Sequence, residues 1–117
     1  MIKNMELINI TKYLVNGFIK YNIEGIDGEG NPIYTTFDYN SWNRSKIVSE
    51  LIRSKYSQDR VEAIINNHFL AIGEWLEKKL AGSTEAFVDE EYDKLQEWRQ
   101  ICKQWADEAL AKYPPVE

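Results

Sequence analysis

The stretch DEEYDKLQEWRQICKQWADEALAK, residues 89–112, sets Tyr92, Leu95, Trp98, Cys102, Trp105, Ala109 and Leu110 at spacings of three and four. That period predicts one apolar side of an α-helix. Trp98 and Trp105 lie two turns apart on it, so the stripe carries two of the bulkiest apolar side chains available. The other side reads Asp93, Lys94, Glu97, Gln100, Lys103, Gln104, Asp107 and Glu108, which suits solvent. Asp89, Glu90 and Glu91 gather at the start, where the positive end of the helix dipole favours carboxylates, and Pro114-Pro115 stop the helix. Both tryptophans are expected in the core.

Upstream of this helix the same period recurs. Ser41 is placed to cap a helix over 42–55 carrying Trp42, Ile47, Val48, Leu51 and Ile52. Ser57 is placed to cap a second over 58–80, with Val61, Ile64, Ile65, Phe69, Ile72 and Leu76 at helical spacing. Asn66-Asn67 and Gly73 weaken that helix, which leaves two alternatives, a break there or a run through to Leu80. Gly82-Ser83-Thr84 reads as the linker onward, with Phe87 and Val88 packing back as a staple.

The first forty residues change character. GFIKYNIEGI (17–26) and IYTTFDY (33–39) are rich in Ile, Tyr, Phe and Thr, and the turn residues 27–32 separate them, which predicts a hairpin. ELINITKYLV (6–15) joins the first strand through Asn16-Gly17, the favoured two-residue turn; its apolar residues also fit a short helix. The expectation is a single α+β domain: an antiparallel β-meander of two to three strands in 1–40, about three helices in 41–113 packed on it, and a tail in 114–117.

The chain has 117 residues, 44% of them apolar, and a net charge of −5. That size supports a core without staples, and the acidic balance argues against a general nucleic-acid binder. One cysteine and one histidine cannot make a disulfide or, by themselves, a zinc site. No stretch has the unbroken apolar run of a signal peptide or a membrane span, so the expected location is the cytoplasm.

Several constellations that suggest a site have plainer explanations. Asp27, Glu29, Asn31 and Asp38 have offsets like those of a calcium loop, but Pro32 stands where that loop needs glycine, and strands flank it instead of helices. Gly25, Gly28 and Gly30 lack the third glycine and the following helix of a dinucleotide fingerprint. His68 and Cys102 are the only nucleophile–base candidates; the thiol falls in an apolar stripe and the sequence gives the imidazole no evident orienting carboxylate. Asp89, Glu90, Glu91 and Asp93 are explained by their place in a helix's first turn. No catalytic residue, metal, cofactor or small-molecule substrate is therefore expected. Arg44, Lys46, Arg53, Lys55 and Arg60, bracketed by Trp42 and Tyr56, form a local basic segment of the kind that contacts single strands.

Residues 56–67 (YSQDRVEAIINN), together with Glu91-Tyr92, Leu95-Gln96-Glu97-Trp98-Arg99 and Cys102-Lys103, resemble segments of small proteins encoded by tailed phages and prophages of gut bacteria. The resemblance spans roughly residues 50–105 and implies an accessory or virion-associated role in a host cell or particle. It implies no activity. Combined with an aromatic content of 13%, the expectation is a non-enzymatic interaction or assembly protein that meets a protein partner or itself as a homo-oligomer. Trp42, Trp75, Tyr92 and Tyr113, at stripe margins or helix ends, are the candidate contacts. The alternative is a nucleic-acid-associated module using the basic segment.

Overall fold

The computed structural model describes residues 5–115. Three strands, β1 (Glu6–Val15), β2 (Phe18–Ile26) and β3 (Pro32–Asp38), form an antiparallel sheet in the order β1-β2-β3. A short 3-10 turn (Tyr39–Ser41) leads to three helices, α1 (Arg44–Arg53), α2 (Gln58–Leu80) and α3 (Glu90–Lys112). The fold is α+β, and residues 6–15 are a strand.

The β1–β2 register closes at Val15 opposite Phe18. Asn16 and Gly17 take φ of 50° and 82°, the left-handed pair that a tight two-residue hairpin turn requires. Ile10, Tyr21, Ile23, Ile33 and Phe37 are buried on one face of the sheet. On the other face Asn22 joins the strands: its carbonyl accepts from the Tyr13 and Thr36 hydroxyls, and its amide donates to Tyr34. Near the start of β1 two residues advance against one on β2, and Ile8 is left over as a bulge with its side chain exposed.

Trp105 lies directly on the backbone of β2. A Cβ built at Gly25 would stand 2.4 Å from the Trp105 ring and 2.8 Å from the Glu6 carbonyl, so only glycine lets helix and strand approach this closely. Gly25→Ala is expected to destabilise the fold by about 1–3 kcal/mol, as overpacking does. A urea midpoint equal to that of the wild type would show that the ring can move aside.

Asn43, not Ser41, caps α1, its side chain accepting from the Lys46 amide. Ser41 is taken up in the 3-10 turn, and that turn rotates Trp42 inward. The Trp42 ring stacks on Tyr21 with centroids 4.1 Å apart, and its indole N–H donates to the Tyr113 carbonyl at 2.7 Å. Ser57 and Asp89 cap α2 and α3. α2 runs unbroken through Asn66-Asn67 and Gly73, because packing of its neighbouring residues outweighs a cost of only ~1 kcal/mol. α3 buries Leu95, Trp98, Cys102, Trp105, Ala106 and Ala109 against the sheet and α1.

The helices do not all cover the sheet. Trp105 meets Gly25, and Tyr113 meets Tyr21, so β2 and the C-terminal half of α3 run side by side. The first turn of α3 meets the N-terminal half of α2 through Arg60–Glu91 and His68–Tyr92, and the 81–89 loop returns along its C-terminal half, at Trp75. Only Ile64 of α2 is fully buried. The C-terminal half of α2 and the returning loop therefore project as an arm, and the molecule measures 65 × 31 × 22 Å. No helix among the described residues is long and apolar enough to cross a membrane.

Candidate interaction surface

The arm has two different sides. On the inner side, His68 of α2 faces the loop that leads into α3. Its Nδ1 lies 2.8 Å from Asp89 Oδ2, its ring stacks on Tyr92 at 3.5 Å, and Phe87 meets it edge-on. One turn pair further, the Trp75 indole donates to the Glu85 carbonyl at 2.8 Å, and Phe87 packs against its ring. Phe87 thus pins the loop as the sequence suggests, whereas Val88 points outward. The hydrogen bond with His68, aided by the Tyr92 amide and opposed by desolvation, holds the Asp89 carboxyl below its ordinary range.

The sequence reading missed the carboxylate that orients His68, because Asp89 is 21 residues away and arrives only through the helical turn-around. The pair is two-thirds of a hydrolytic triad in form. Cys102, however, lies ten residues along α3 from Tyr92, about 15 Å, buried in the core, and burial pushes its thiol up to about 12. The geometry does not join thiol and imidazole. Asp89 instead caps α3 with one oxygen and holds α2 with the other.

On the outer side, α2 presents Phe69, Leu70, Leu76 and Leu80, all exposed; Leu70 is 68% and Leu80 89% accessible. At 3.6 residues per turn, positions 69, 73, 76 and 80 lie within about 60° of each other around the helix. They form a stripe with Gly73 in its middle, where nothing stands within 4 Å of an added Cβ. A second apolar patch lies at the opposite end of the long axis, where the β1–β2 turn exposes Leu14 and Phe18. Two shallow depressions adjoin that turn, of about 310 and 400 Å³.

The four contact candidates chosen from sequence are placed differently. Trp42 is buried and hydrogen-bonded, so it is unavailable to a partner. Tyr92 and Tyr113 are half-buried under His68 and beside Tyr21. Trp75 is half-buried, capped by the Lys79 ammonium 4.8 Å from its ring. On the arm the exposed apolar residues are instead Phe69, Leu70, Leu76 and Leu80 of α2 and Val88 of the loop.

The basic segment is dispersed. Arg44 pairs with Asp107, Arg53 with Glu50 and Arg60 with Glu91. Lys55 turns inward onto Asp27, while Lys46 is exposed. Trp42 and Tyr56 are buried, so neither ring is open to stack on a base. The Asp27 carboxylate accepts from the Glu29 and Asn31 amides and from Lys55, which accounts for its charge within the turn. Comparisons with protein-family models, with curated proteins and with solved structures find no match to this chain.

Proposed function

We propose that this chain is a non-enzymatic protein-interaction or assembly protein whose working surface is the outer side of the helical arm. One observation carries the reading: an unbroken helix exposes Phe69, Leu70, Leu76 and Leu80 on one side while its other side is packed. Together these four side chains leave on the order of 500 Å² in water, toward the upper end of the largest patch of a typical monomer, which is often functional. The resemblance of residues 50–105 to small phage-encoded proteins supports an accessory role in a host cell or virion. The ion-paired state of Arg44, Arg53 and Arg60 favours this reading over a nucleic-acid module.

The test uses the full chain and a Leu76→Glu/Leu80→Glu variant, both checked for native circular dichroism. Each is presented as bait to purified wild-type chain and to extracts of the source cells. Binding by the wild type that the variant loses is the expected result. Equal recovery by both baits sinks the proposal.

A further inference from the structure

The stripe on α2 is complementary to itself. Its residues, Phe69, Gly73, Leu76 and Leu80, are spaced 4-3-4 along the chain, a pattern that reads the same in both directions. When a second α2 is laid antiparallel about a two-fold axis midway between Gly73 and Leu76, Phe69 falls opposite Leu80 of the copy. Gly73 falls opposite Leu76. A two-fold contact of this kind brings each pair together twice.

The pairing also explains Gly73. Its backbone is helical with no positive φ, and no part of its own chain crowds it. A glycine at such a position costs ~1 kcal/mol against alanine with no return inside the monomer. It does leave a hole one side chain deep in the stripe, flanked by Phe69 and Leu76. Leu76 of an antiparallel copy fills that hole, and the two axes can approach toward the lower end of the usual 8–10 Å range. Resting on the reading of the arm as an interaction surface, we infer that the occupant of this stripe is a second copy of the chain, bound as an antiparallel α2–α2 dimer with Leu76 seated on Gly73.

The area sets the strength. Phe69, Leu76 and Leu80 expose on the order of 400 Å² per copy, about half of the ~800 Å² of a standard stable interface, so the expected dimer is a weak one. Glu77, about 70° around the helix from the stripe's centre, is exposed and stays at its rim, while Glu74 and Lys78 lie on the far side of α2.

The test is sedimentation velocity on the full chain from about 1 to 100 µM, with single and double variants. Wild type is expected to pass from monomer to dimer across that range. Leu76→Gly removes the knob and Gly73→Leu fills the hole, and each is expected to weaken association by at least about 100-fold, since every change counts twice. The Gly73→Leu/Leu76→Gly double variant exchanges knob and hole across the same two-fold and is expected to dimerise again. All positions are exposed in the monomer, so circular dichroism should report folded chains throughout.

A dimer indifferent to these variants, association that grows beyond dimer, or a double variant no better than the singles would each overturn the inference. So would a wild type that stays monomeric. If a monomeric wild type still captures another protein in a Leu76-dependent manner, only the identity of the occupant fails and the interaction reading stands.

Discussion

Replacing Trp98 with alanine is expected to lower the free energy of unfolding by about 3–5 kcal/mol, the range for deleting a large aromatic from a packed core. Trp98 is fully buried at the centre of α3. Its ring meets Trp105 edge-on at 5.3 Å, its indole N–H donates to the Leu51 carbonyl at 3.2 Å, and the Lys55 ammonium lies 5.5 Å from its face. The side chain therefore joins α1 to α3 and supports the buried Asp27–Lys55 pair. Alanine leaves a cavity that the rigid β2–Trp105 contact keeps from collapsing. A loss of this size is a large part of the 5–15 kcal/mol that holds a typical domain together. Urea denaturation followed by circular dichroism measures it. A change below about 1 kcal/mol would mean that α3 does not organise the core.

Much of the architecture was legible because local chemistry and tertiary packing agree. Asn16-Gly17 specifies its turn by backbone preference, and β1 spans the ten residues read as a strand. Trp98, Cys102 and Trp105 sit in one stripe whose period is visible without any partner. What escaped depended on residues far apart in sequence. Trp42 looked marginal because it stood at the first position of the helix read over 42–55, yet its burial comes from Tyr21 and from a carbonyl 71 residues later. His68 looked unsupported because its carboxylate lies across a helical turn-around.

The exposed apolar side of α2 was not foreseen, for a related reason. Phe69, Ile72 and Leu76 were read as one stripe, but the apolar arc of α2 is wider than a single neighbouring helix can cover. α3 and the 81–89 loop shelter the side with His68 and Trp75 and leave Phe69, Leu76 and Leu80 in water. The adjacent Phe69-Leu70 pair and the late Leu80 were the visible signal of that excess width.

The Asp27–Lys55 pair is the second site of large effect, and its contribution depends on pH. Asp27 is almost wholly buried; one oxygen takes the Glu29 and Asn31 amides, and the other takes Lys55 Nζ at 3.0 Å. Desolvation pushes the Asp27 carboxyl up, but the Asn31 amide, the Lys55 ammonium and the Glu29 amide outweigh it, leaving the group below its ordinary 3.8. For Lys55, burial pushes down and the hydrogen bond and charge of Asp27 prevail, leaving it above 10.5.

Asp27→Ala strands the Lys55 ammonium over Trp98 and removes the acceptor that orders the turn. About 3 kcal/mol is expected, the lower end for breaking a buried pair, because Glu29 remains 3.4 Å from the ammonium. Lys55→Met is expected to cost less, since its unbranched chain still covers Trp98 and Asp27 keeps both amides.

A depressed carboxylate stabilises the fold above its unfolded value and loses that contribution as pH falls through its folded value. A raised ammonium stabilises below its unfolded value and loses it as pH rises through its folded one. The gap between wild type and Asp27→Ala should therefore be level between about pH 5 and 9. It should shrink below pH 3.8 and again above pH 10.5. Urea titrations at pH 3, 7 and 10.5 and above measure both limbs. A gap under about 1 kcal/mol at pH 7, or one that does not narrow in acid, would show that the turn holds without its buried charge.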